Sequence, residues 1–225
     1  MTGRKRKAGT RKLSGEPAQK EAILEAALAH APFDGFSEKT LSRAAADSGV
    51  EKSALPRLFP LGPQSLVEFY SDWADFEMEA RLGALDLKSM KVRERIRTAV
   101  RTRLAILGGH KEAARRAAAF LSLPPNLFLA TKLLYRAVDA MWRATGDTST
   151  DFNFYTKRAI LAAVWSSTLM RWFNDQSQDG TETDEFLAAR IENVMQFEKL
   201  KAQAKDALAK APSPLGFLSG LAPRR

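Results

Sequence analysis

The chain has 225 residues, 45% of them hydrophobic, enough for one sizeable core or for one core with a small helical head. It has no cysteine, which excludes disulfides, thiolate metal sites and thiol nucleophiles, and no apolar stretch approaches the ~18 residues that span a bilayer. The formal charge of +9 lies in two tails: residues 1–12 carry six bases and no acid, residues 199–225 carry six against Asp206, and Leu13 to Glu198 is left at −2.

Residues 1–17 read as a solvated basic lead. Nothing near Met1 has the apolar centre of a secretory signal, and the lead lacks the apolar face of a mitochondrial presequence. The protein is therefore expected on the cytoplasmic side of a membrane or in an organelle matrix. After Pro17, apolar spacings of three and four recur and no alternating strand pattern appears, so the fold class is all-α.

A first helix is predicted over about 18–31, with Ile23, Leu24, Ala27 and Leu28 inward. Ser37 caps a short helix through Asp47, Ser48-Gly49 turns the chain, and a second short helix covers about 51–59, which is helix-turn-helix spacing. Residues 18–62 are thus a head. Beyond the breaker Pro60-Leu61-Gly62-Pro63, a long helix places Leu66, Phe69, Trp73, Phe76 and Ala80 inward. Further helices are predicted over about 91–107, 110–122, 125–144, 152–174 and 182–205, completing a body from 63 to 205. The tail 206–225 is apolar and basic, and Leu215, Phe217, Leu218 and Leu221 are its candidate membrane contacts, able to hold a surface reversibly without inserting.

The chain holds two histidines, His30 and His110, and neither sits in the Glu-x-x-His spacing of a di-iron bundle. Phosphate loops, nucleophile elbows and His-Glu-x-x-His strings are missing as well. No catalytic residue, metal site or cofactor is expected.

Ala46-Asp47-Ser48-Gly49-Val50 through Leu58-Phe59-Pro60 resembles the signature of TetR-family repressors, a resemblance that implies a helix-turn-helix head on a helical ligand-binding and dimerisation body. Pro56 stands where that family has a groove-facing aromatic, and Gly62-Pro63 where it has a phosphate-anchoring lysine. Pro56 inside a short helix is expected to remove a donor and strain the turn. Residues 13–62 hold seven acids and five bases, whereas specific DNA readers draw much of their affinity from Lys and Arg on phosphates. No nucleic-acid partner is expected, and a ligand-sensing TetR-type regulator is the alternative reading.

The second half carries a sharper likeness. Val138-Asp139-Ala140-Met141-Trp142, followed by Gly146-Asp147 and Asp151-Phe152-Asn153-Phe154-Tyr155-Thr156-Lys157-Arg158, resembles the Coq-nine family of ubiquinone biosynthesis, with Leu123-Pro124-Pro125-Asn126 and Phe186-Leu187 in support. The resemblance implies a TetR-like homodimer that binds isoprenoid lipids and presents them to the demethoxyubiquinone hydroxylase. It implies a location peripheral on the inner membrane, facing a bacterial cytoplasm or the mitochondrial matrix of a eukaryote. It implies a hydroxylase-docking surface of Met141, Asp151, Asn153, Phe154, Tyr155 and Arg158, with Phe154 where the family often has Trp. For the lipid, the inward stripes nominate Phe69, Trp73, Leu104, Leu107, Phe120, Leu134, Val138, Leu161 and Trp165, although stripes at helical spacing are more often filled core.

Overall fold

The computed structural model describes residues 15–147 and 152–210. Within them the chain folds as α-helices joined by short turns, with no strand. The head comprises α1 (Glu16–Asp34), α2 (Glu38–Asp47) and the one-turn α3 (Leu55–Leu58), and the body comprises α4 (Pro63–Gly83), α5 (Val92–Gly108), α6 (Lys111–Leu121), α7 (Leu127–Ala144), α8 (Phe152–Asn174) and α9 (Thr181–Lys210).

The helix boundaries follow from local chemistry. Gly35, at φ 66°, ends α1 and returns its amide to Ala31 O at 2.9 Å. Two residues later the Ser37 hydroxyl accepts from the Thr40 amide at 3.2 Å and caps α2. Gly62 opens α4 at φ 54° and ψ −126°, a backbone closed to side-chain-bearing residues, and a Cβ there would collide with Glu38 Oε1. Pro63 follows in the first turn, where no amide donor is needed.

Three expectations are corrected. Pro56 lies in the first turn of α3, not in a helix interior, so it removes no helical hydrogen bond and strains nothing. The inward stripe of α4 is rotated from the expected one: Leu66, Val67, Tyr70, Ala74, Asp75, Met78 and Leu82 are buried, while Phe76 is 68% exposed and Ala80 is exposed. Large aromatics set the expected face, but a Tyr, an Asp and a Met occupy it. Finally, α9 runs on to Lys210, past the expected end near 205.

One apolar core joins head and body, from Ile23, Leu41 and Leu58 through Leu66, Met78 and Val100 to Met141, Leu161 and Leu187. In it α1 packs on α2 and α6, α4 on α5 and α7, and α8 on α7 and α9. The Phe36 ring of the head stacks on Tyr70 of α4 at 6.1 Å, and Tyr70 stacks in turn on Trp73 at 6.0 Å. Helices α6 and α7 meet at 95° across Leu123-Pro124-Pro125-Asn126, so the short helix reaches the head while the long one lies along α4. Among the described residues no single helix is long and apolar enough to cross a membrane.

Candidate ligand cavity and partner face

The bend between α6 and α7 holds these two helices apart where they face α4, α5 and α8, and a cavity of about 330 Å³ opens there. Its wall is built of Val67, Leu107, Ala114, Ala117, Leu121, Leu127, Ala130, Leu133, Leu134, Ala137, Trp165, Leu169 and Phe173, with Met170 and several polar residues. Alanines on the inner face of α6 leave the space that longer side chains would fill.

The polar residues include a group at the junction of α4 and α5. Arg103 is buried, donates Nε–H to Asp75 Oδ1 at 2.7 Å and NH2 to Ser71 Oγ at 3.1 Å, and lies over the Trp165 ring at 4.9 Å. The charge is thereby matched on the spot, as a buried ion must be. Tyr70 is 3% exposed, and its hydroxyl has no hydrogen-bond partner among the described residues. Burial drives the Tyr70 phenol far above its usual range against the opposing pull of Arg103, so it stays protonated.

A second feature forms where α7 ends and α8 begins. The Arg158 guanidinium, 3% exposed, binds Asp139 Oδ1 at 2.7 Å, Asp147 Oδ2 at 3.3 Å and the Phe154 carbonyl at 3.2 Å, and stacks over the Phe154 ring at 3.4 Å. Lys157 pairs with Asp147 at 2.8 Å, and Trp142 Nε1–H donates to the Lys157 carbonyl at 3.1 Å. On this ionic base sits Tyr155, 67% exposed, its ring edge-on to half-buried Phe154 at 5.2 Å.

The stretch 128–198, which runs from α7 into α9 and includes the second feature and the α7 and α8 side of the cavity, matches the COQ9 family profile. The human ubiquinone biosynthesis protein COQ9, mitochondrial, is 32% identical over 216 residues, covering 90% of this chain and 68% of its own. This chain belongs to the COQ9 family. The Drosophila melanogaster protein of the same name is 28% identical over 187 residues, covering 81% of this chain and 57% of its own. Among solved structures, a TetR transcriptional regulator from Nitrosomonas europaea superposes with a TM-score of 0.63 over 77% of this chain and 95% of its own, at 18% identity. That establishes a shared TetR-like fold and nothing about DNA.

Against this COQ9 background the expected site residues separate. Of the nine nominated for lipid, Leu107, Leu134 and Trp165 line the cavity. Leu161 lines a different apolar hollow of about 400 Å³ with Ile96, Trp142, Ile160, Val164 and Ile191, and Leu104 borders a polar one near α9. Val138 is core, Phe69 packs edge-on against Phe59, and Trp73 and Phe120 are half-buried against the core. These last four do not line the cavity, because their side chains are packed in or against the core.

Of the expected docking residues, Met141 is wholly buried and Arg158 nearly so, so neither lies on the surface where it was expected: both sit beneath it. Phe154 and Tyr155 reach the exterior. Asp151 and the tail residues Leu215, Phe217, Leu218 and Leu221 lie outside the described residues, and of Asn153 only the helical backbone is described. His30 pairs with Asp47 at 2.6 Å and His110 precedes α6; among the described residues no three His, Cys, Asp or Glu side chains gather as a metal cluster.

Sequence reasoning missed Tyr70, Ser71, Asp75 and Arg103. A signal was present: Arg103 falls on the Ile96-Val100-Leu107 face, and a charge at an inward helical position demands a buried partner.

Proposed function

We propose that this protein is a non-catalytic lipid carrier of ubiquinone biosynthesis: it takes up an isoprenoid quinone precursor or a related lipid at a membrane surface and presents it to the demethoxyubiquinone hydroxylase. A role in ubiquinone biosynthesis accords with COQ9 membership; the division of labour is what is proposed. The observation that carries it is the apolar cavity between α4, α5, α6, α7 and α8. Moving an isoprenoid tail into water costs ~0.8 kcal/mol per CH₂, and an apolar wall removes that cost for the part it covers. At about 330 Å³ the cavity lies at the low end of the ~300–1,000 Å³ range of ligand pockets. A ring and a short stretch of chain fit, and the rest of a long tail stays in the bilayer or along the surface.

In this scheme Tyr155 and Phe154 form the hydroxylase-facing surface, the C-terminal segment meets the membrane, and two copies pair as a homodimer. The working location is the membrane face of a bacterial cytoplasm or of the mitochondrial matrix; the relatives are named as mitochondrial. The head does not favour the regulator alternative, since Lys39 and Arg43 are paired with Asp34, and Arg57 with Glu16, leaving few cations for phosphates. Native protein extracted with organic solvent should yield isoprenoid lipids or quinone intermediates by mass spectrometry. An empty extract together with salt-sensitive, sequence-specific DNA binding would overturn the carrier reading.

A further inference from the structure

We infer that the cavity grips its ligand by a neutral, oxygen-bearing head, with the Tyr70 hydroxyl as the selecting donor, so that the head enters first and the tail trails out. The inference rests on the carrier reading and adds to it the orientation and chemical class of the ligand.

Two observations on the wall carry it. The first is the Tyr70 hydroxyl, buried on a residue that lines the cavity and lacking any partner among the described residues. A buried hydroxyl without a hydrogen bond is destabilising, and a hydrocarbon tail leaves it so, whereas an oxygen acceptor satisfies it. The second is the composition of the adjoining wall. Ser71 and Arg103 stand beside Tyr70 and also line the cavity, so three hydrogen-bonding side chains lie close together on a mostly apolar lining whose other polar members are Ser122 and Ser166.

The charge at this spot decides the class. Arg103 is matched by Asp75 at 2.7 Å, so the pair presents no net charge. A carboxylate or phosphate entering here would be desolvated without a free counter-ion, whereas a carbonyl, methoxy or phenol oxygen carries no such penalty. The Trp165 ring, already beneath the guanidinium, offers a flat face to a flat head group. Towards the exterior the lining passes to Leu127 and Met170, both more than half exposed, which suits a trailing hydrocarbon chain.

The test uses the full chain and three ligands that share an unbranched ten-carbon unit: decylubiquinone, decylbenzene and decanoate, each competing with a neutral naphthylamine dye. Decylubiquinone should bind more tightly than decylbenzene or decanoate. Tyr70→Phe should weaken decylubiquinone about three- to tenfold, leave decylbenzene unchanged, and leave thermal stability equal or higher, since it deletes only an unsatisfied hydroxyl. Equal binding of decylubiquinone by wild type and Tyr70→Phe, or decylbenzene or decanoate binding as tightly as the quinone, would overturn head-first binding while leaving a lipid carrier intact. Failure of both neutral ligands to bind would remove the carrier reading and this inference together.

Discussion

Tyr155 and Arg158 lie within one turn of α8, yet one is spread over the surface and the other is sealed into a cage of Asp139, Asp147 and the Phe154 ring. Both were read from the same motif as members of a docking surface, and the geometry assigns them different work. Tyr155→Ala removes an exposed ring and should weaken hydroxylase capture while shifting the melting temperature by less than a degree or two, since surface substitutions change stability by about ±0.5 kcal/mol. Arg158→Ala takes the buried cation from Asp139 and Asp147, leaving them only the more exposed Arg143 and Lys157, and should cost on the order of 3 kcal/mol, visible as a large fall in melting temperature. Equal destabilisation by both changes, measured by thermal melts beside a pull-down, would make Tyr155 a packing residue and remove it from the partner face. The motif exposed the importance of these positions; it could not separate exposed from buried, because the burial of Arg158 depends on Asp139 of α7 and Asp147 closing over it.

Among the elements, those with plain punctuation were legible: α2 behind its Ser37 cap, α8 from Phe152 to Asn174, and the Gly62-Pro63 start of α4. The face of α4 was not, because its rotation is set by the stacking of Phe36 on Tyr70 and by the pairing of Asp75 with Arg103, contacts made by residues distant in sequence. The α8–α9 junction was also invisible, and it rests on one carboxylate. Burial of Asp175 works against its ionisation, but hydrogen bonds from the Ser177 and Thr183 amides and hydroxyls prevail and hold it well below its ordinary value of 3.8. A depressed folded-state pKa means that its stabilising effect is complete above about pH 4 and is lost as pH falls through the folded-state value. Asp175→Asn should therefore melt at a lower temperature than wild type at pH 7, with the gap narrowing at pH 3. A constant gap across that range would show that charge at Asp175 is not what holds the turn.

For the whole molecule, the positive charge that dominates the composition lies largely in residues 1–12 and in 199–225, the latter including the end of α9, so the carrier scheme assigns binding of anionic surfaces and binding of apolar ligands to different parts of the chain. Deleting residues 206–225 removes the apolar side chains Leu215, Phe217, Leu218 and Leu221 but leaves the basic residues 1–12, so it should weaken flotation with anionic vesicles without abolishing it and leave displacement of a cavity-bound dye unchanged; loss of dye binding would tie the tail to the cavity itself. The head belongs to this scale as well. Phe36 comes from the head, and its ring backs the same Tyr70 whose other surroundings form the ligand's wall. A protease cut or truncation that released residues 18–62 would uncover Tyr70 and open that wall to water, so the helix-turn-helix head is a structural support of the cavity, a part that requires no nucleic acid.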